Sequence, residues 1–166
     1  ISSPSINHKQ KSSSPLIHLY NKDISYLDTY EHTVERIRLF SSLHSDALIT
    51  FIIPSINRAS LLRALDSIRQ QTNQRWKAIV LFDGCEPTDD STLEVLQDSR
   101  ILHLSINKKG VLLSNQSGQA GHIRNIGMSM VTTPWIGFVD DDDIILPNYI
   151  EKLLEESGTL PHADLI

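Results

Sequence analysis

The sequence predicts an α/β fold: a mostly parallel sheet flanked by helices. Three observations carry that prediction. Short apolar runs alternate with helical patterns along most of the chain. Each run has strand length, and three of them are closed directly by proline or aspartate: Pro54, Asp83-Gly84 and Asp140. Polar clusters sit directly after three of the runs, at the carboxyl edge where open α/β sheets bind their ligands.

The elements follow in order. Residues 1–15 are rich in serine, carry Pro4 and Pro15, and read as a flexible arm. Ile24, Leu27, Val34, Ile37 and Phe40 recur at helical spacing over 24–43, with Asp23 as N-cap. This helix is expected on the outside of the domain or in a preceding region. Residues 1–46 therefore stand apart as an N-terminal arm and helix, ahead of a domain at 47–166.

Residues 47–53 form an apolar run stopped by Pro54, which reads as a buried strand. Leu61, Leu62, Leu65 and Ile68 share one face of a helix over 59–71. Residues 76–82 form a second strand, closed by Asp83-Gly84. A short helix over 89–98 turns Leu93 and Leu96 inward, and 100–104 form a third strand. A polar loop covers 106–118, a helix 119–130, and a fourth strand 135–139 runs straight into Asp140-Asp141-Asp142-Asp143. Pro147 suits the first turn of a further helix ending near Gly158. Ala163 to Ile166 open a fifth strand.

Bulk properties narrow the function. The 166 residues have a one-domain length, and 40% hydrophobic content is enough for a core. The net charge is −5, and no basic stripe interleaved with aromatics is present, so no nucleic-acid partner is expected. Cys85 is the only cysteine, which excludes an internal disulfide. No apolar run approaches the roughly 18 residues of a spanning helix. A soluble domain is expected, cytoplasmic or lumenal. The chain opens on Ile1, and is expected to be part of a longer protein.

The acidic run carries the strongest chemical signal. Four consecutive carboxylates repel one another, and a cation relieves that repulsion. Oxygen ligands suit a hard ion, Mn²⁺ or Mg²⁺. An acidic loop in water is the other reading. An EF-hand is excluded, because Ile145 stands where that loop needs glycine. Asp140 and Asp142 also resemble the aspartate pair of haloacid-dehalogenase-type phosphatases, with Asp140 as nucleophile. That pair belongs on a first strand, whereas this one follows the fourth. Asp83-Gly84 offers a carboxylate beside a backbone that a ligand can approach, or an ordinary turn. Arg124 suits a phosphate, or a plain surface position. Gly118, Gly121 and Gly127 have the wrong spacing for a dinucleotide fingerprint.

Together these motifs resemble glycosyltransferase family 2. The resemblance runs over 47–166. It rests on residues 52–58 (IIPSINR), 65–72 (LDSIRQQT), Phe82-Asp83-Gly84, residues 123–127 (IRNIG), and residues 135–143 (WIGFVDDDD) followed by Pro147. It implies a GT-A, Rossmann-like fold and inverting transfer from a nucleotide-diphospho-sugar, most often UDP-linked, to a glycan, lipid or protein acceptor. By resemblance, Pro54, Ser55, Asn57 and Arg58 lie beside the nucleotide. Asp83 with Gly84 meets the base, and Arg124 and Asn125 lie near the sugar-phosphate. Asp142 is the main metal ligand, with Asp140 or Asp141 on the ribose or donor sugar and Asp140 as second metal candidate. Phe82 departs from the family's Asp-Asp-Gly. The family's general base lies in an acceptor half beyond the Asp-x-Asp motif. It is therefore expected beyond Ile166, and no residue of this chain is assigned that role. A donor-binding piece without turnover is the alternative expectation.

Overall fold

The computed structural model describes residues 30–106 and 119–159. The expected arm, most of the polar loop and the fifth strand ending at Ile166 lie outside those residues. The elements are α1 (Tyr30–Ser42), β1 (Ile49–Ser55), α2 (Leu61–Arg69), β2 (Trp76–Asp83), α3 (Asp90–Val95), β3 (Ile101–Ile106), α4 (Gln119–Met128), β4 (Trp135–Phe138) and α5 (Tyr149–Thr159). The four strands form one sheet in the order β3-β2-β1-β4, and every pairing is parallel. The expected α/β class is what the structure has.

The strand order positions the site. The chain winds outward from β1 through β2 to β3, then crosses back to place β4 on the other side of β1. The winding direction therefore reverses between β1 and β4, and ligands bind at such switch points.

Alternation along the strands builds two cores. Phe51 and Ile53 of β1 and Ala78, Val80 and Phe82 of β2 pack with Leu61, Leu65 and Ile68 of α2, Val95 of α3 and Ile150 of α5. On the opposite face, Ile79 and Leu81 of β2 and Leu102 and Leu104 of β3 pack with Ile37 and Phe40 of α1 and Ile123 and Ile126 of α4. Side chains of one strand point to alternate faces, so both helical layers are needed to cover a strand apolar at nearly every position. Gly127 lets α4 sit tight on β1: a Cβ there would lie 2.6 Å from Ile52 Cγ2.

Two details differ from expectation. Leu93 is 37% exposed, and Thr92 and Val95 take the inward positions of α3. The cause is the helix start: Asp89 caps it by accepting from the Thr92 amide at 2.8 Å, which sets the helical phase. Pro147 precedes the last helix rather than entering it, and its carbonyl accepts from the Thr72 amide at 2.8 Å.

α1 packs on the sheet through Ile37 and Phe40, and Arg36 Nη2 donates to the His103 carbonyl at 2.7 Å. Its last turn has no basic residue of its own. Lys77, buried in β2, supplies one: Nζ donates to the Phe40 carbonyl at 2.9 Å and the Ser41 carbonyl at 3.3 Å. A cation suits a helix carboxyl end, where carbonyls lack intrahelical partners. Among the described residues, no helix is long and apolar enough to cross a membrane.

Candidate functional site

The turn after β1 forms the first wall. The chain leaves the sheet at Ser55, and Asn57 takes φ 61°, a left-handed conformation that asparagine tolerates better than most residues. The Asn57 amide donates to Ser55 Oγ at 2.9 Å. The Asn57 side chain donates to Thr88 Oγ1 at 3.3 Å.

The acidic run forms the second wall. The Val139 amide donates to the Ile52 carbonyl at 3.2 Å, and the Asp143 amide closes a turn on the Asp140 carbonyl at 3.0 Å. That turn splits the carboxylates. Asp141 points inward and is only 4% exposed. Its Oδ2 accepts from Ser55 Oγ at 2.8 Å and from the Ile56 amide at 3.3 Å. Its Oδ1 accepts from Arg58 Nη1 at 3.3 Å. The Asp142 side chain points outward, 57% exposed, and meets the same Nη1 at 3.0 Å. Asp140, also half-exposed, pairs with Arg124, which reaches over from α4 with its guanidinium 5.9 Å from the Phe138 ring centre.

These walls enclose a pocket of about 280 Å³. Pro54, Ser55, Arg58, Asp83, Arg124, Asp140, Asp141 and Asp142 line it, so the structure brings these sequence-assigned residues together. It does not bring in Asn57, Gly84 or Asn125. Asn125 is exposed on α4. Gly84, at φ 68°, borders a second pocket of about 210 Å³ with Cys85 and Ser105. Ile56, Ala120 and Ile123 complete the lining of the first pocket; Ile56 and Ile123 lie within the quoted motifs, but the sequence assigns none of the three a role. The Ile56 amide also donates to Asp141, a backbone contact that no side-chain pattern announces. The general base, expected beyond Ile166, falls outside the described residues, which end at 159. None of the pocket residues is assigned that role.

Phe82 explains its own departure from the acidic pattern. It is fully buried within the core shared by β1, β2 and α2, where a carboxylate would lose its hydration without a partner. Asp83, one residue on, falls on the pocket.

Comparison with known proteins adds to this geometry. The sequence profile described as Glycosyl transferase family 2 matches residues 50–165. An uncharacterized glycosyltransferase of Haemophilus influenzae is 28% identical over 72% of this chain and 37% of its own length. The teichoic acid poly(glycerol phosphate) polymerase of Staphylococcus epidermidis is 32% identical over 68% of this chain and 16% of its own. The Escherichia coli enzyme named UDP-Glc:alpha-D-GlcNAc-diphosphoundecaprenol beta-1,3-glucosyltransferase WfgD is 32% identical over 64% of this chain and 39% of its own. The chain thus spans between 16% and 39% of the length of these relatives. Among solved structures, S. aureus TarS 1-349 in complex with UDP-GlcNAc superposes with a TM-score of 0.53 at 20% identity, over 68% of this chain and 31% of that one. That likeness is one of fold.

Proposed function

The chain belongs to glycosyl transferase family 2 and holds part of its GT-A fold; from that premise we propose that it binds a nucleotide-diphospho-sugar, with UDP as the nucleotide, for transfer of the sugar to an acceptor hydroxyl. One observation carries this reading. The turn after β1, the end of β2, helix α4 and the acidic run after β4 bring two guanidiniums, Arg58 and Arg124, and four carboxylates, Asp83, Asp140, Asp141 and Asp142, to one pocket. Guanidinium geometry suits phosphate oxygens. Arg124 is held at the pocket by its pairing with Asp140, and its Nε has no hydrogen-bond partner among the described residues.

The carboxylates outnumber the guanidiniums by two. A diphosphate entering alone would meet net repulsion, which a divalent cation reverses. The residues fit such an ion. Asp140 and Asp142 both line the pocket and are half-exposed there. Among the described residues, no group of three or more His, Cys, Asp or Glu side chains could hold a metal unaided. One or two carboxylates completed by phosphate oxygens is how a hard ion is commonly bound. Asp142 and Asp140 would hold Mn²⁺ or Mg²⁺, which would supply positive charge to a departing diphosphate.

The chain's own residues take the remaining roles. Arg58 and Arg124 bind and orient the diphosphate, a preorganised charge arrangement that favours the leaving group. Asp83 accepts from an N–H of the base. The acceptor, a glycan, lipid or protein hydroxyl, attacks in a single inverting displacement. Its proton passes to a general base that the family pattern places beyond Ile166. WfgD is named for UDP-Glc, and TarS was solved with UDP and with UDP-GlcNAc. Those names support UDP as the nucleotide and leave the sugar open.

Calorimetric titration of UDP and of GDP, with Mn²⁺ and then with EDTA, tests the reading. Binding of UDP in Mn²⁺ that EDTA abolishes is the expected result. Tighter binding of GDP would overturn the choice of base, and binding of neither nucleotide would overturn the donor site.

A further inference from the structure

We propose that Asp141 is a positioning residue: it ties the turn after β1 to the end of β4 and holds Arg58 over Asp142, without meeting the donor itself. The inference takes its functional consequence from the donor-site reading above, while its structural half stands without it.

The argument starts from burial. A carboxylate only 4% exposed needs its lone pairs satisfied. Asp141 does so with three donors from one short stretch of chain: the Ser55 hydroxyl, the Ile56 amide and the Arg58 guanidinium. Both oxygens are thereby engaged. The hydroxyl that donates to Asp141 also accepts from the Asn57 amide at 2.9 Å. One chain of hydrogen bonds therefore runs from Asn57 through Ser55 into Asp141, and it holds the left-handed backbone of Asn57 in place. These contacts bridge more than 80 residues of sequence.

The neighbouring carboxylates behave differently. The Asp140 and Asp142 side chains are more than half exposed. An exposed pair between Arg58 and Asp142 would by itself be weak, because water and salt screen it and a long side chain must be ordered. The second contact to buried Asp141 removes much of that freedom. Arg58 is then presented to the pocket in one place instead of many, which lowers the ordering cost of binding an anion. Loss of Asp141 should weaken donor binding although no donor contact is lost.

The test measures two things on the wild type, Asp141→Asn, Asp141→Ala, Arg58→Gln and the Asp141→Asn/Arg58→Gln double variant. One is hydrogen exchange of the amides at 56 and 57. The other is UDP affinity in Mn²⁺, read well below the melting temperature. Asp141→Ala should speed exchange at those amides by about tenfold or more. Asp141→Asn keeps the shape and one accepting oxygen, so it should fold and speed exchange less. Its UDP affinity should fall roughly 10- to 100-fold, the usual effect of losing a residue that orients a ligand-binding group. In the Arg58→Gln background the same substitution should change affinity by less than about threefold, because its route to the donor is already gone.

Additive losses with unchanged exchange would assign Asp141 a direct donor contact and overturn the proposal. A lower melting temperature with full UDP affinity would also overturn it, leaving a purely structural role. A wild type that binds no UDP sinks the donor-site reading together with this functional consequence. The exchange data then still decide whether Asp141 holds the turn.

Discussion

Two arginine–aspartate assemblies sit at opposite edges of the same sheet. At the amino edge, Arg100 meets Asp98 through Nε at 3.0 Å and Nη2 at 2.6 Å. The Arg100 guanidinium also lies 3.9 Å from the centre of the Trp76 ring, and both partners are mostly buried. At the carboxyl edge, Arg58 spreads one nitrogen over Asp141 and Asp142, and Arg124 leans on Asp140. Apart from Asp141, these carboxylates are half in water. The first assembly is bidentate, stacked and closed, a geometry that stabilises a fold. The second is open and carries more acid than base, a geometry that a fold does not need and a ligand can use.

The largest expected effect lies at the carboxyl edge. Asp142→Ala should reduce UDP affinity in Mn²⁺ by roughly 100-fold or more, since a metal supplies several kcal/mol of charge stabilisation. The same change should leave folding stability within about 0.5 kcal/mol, as surface substitutions do. Titration and thermal melting of one sample read both. A variant that melts much earlier, or that binds UDP as well as wild type, would erase the distinction between the two edges.

The next effect has the opposite character. Asp98→Ala should cost about 1.5–3 kcal/mol of stability, the range for hydrogen bonds to charged groups, with UDP binding unchanged. The Arg100 hydrogen bond, reinforced by the Arg100 amide, holds the Asp98 carboxyl below its usual value of 3.8, against the opposing effect of burial. A depressed folded pKa contributes stability above the unfolded value, and that stability is lost as pH falls through the folded one. The gap between wild type and Asp98→Ala should be full at neutral pH and close below about pH 4. Denaturant melts at several pH values check this, and a gap that persists in acid would remove the ion pair as its cause.

Legibility in the sequence followed the same division. The four strands could be read because each is a short apolar run, three of them with a direct stop signal such as Pro54 for β1 or Asp83-Gly84 for β2. The placing of Arg58, Asp83 and Asp140 at one edge followed from parallel order alone. The fates of the individual aspartates could not be read. Which of four neighbouring carboxylates turns inward depends on Ser55, Ile56 and Arg58 arriving from more than 80 residues away. Leu93 faces outward, against the apolar spacing, because its exposure depends on where Asp89 starts the helix. Lys77 gave no sign of its role, because a lysine in an apolar strand does not show which helix end it will meet.

The smallest expected effect concerns that lysine and extends the comparison beyond the matched region. α1 lies outside residues 50–165, yet Lys77 binds its final carbonyls. Burial lowers the Lys77 pKa from 10.5, and the Asp46 carboxylate partly offsets this. Between the folded pKa and 10.5 the unfolded chain therefore holds more protons than the folded one, so stability rises with pH across that window. Lys77→Met lacks the titrating group and loses the contacts to the Phe40 and Ser41 carbonyls. The melting difference between the two proteins should therefore move by a few degrees in favour of wild type as pH rises from neutral to about 10. A difference constant with pH would mean that Lys77 acts on α1 through packing alone. A difference moving the other way would mean that Asp46 outweighs burial, and that the α1 end is held by a charge pair like those at the carboxyl edge.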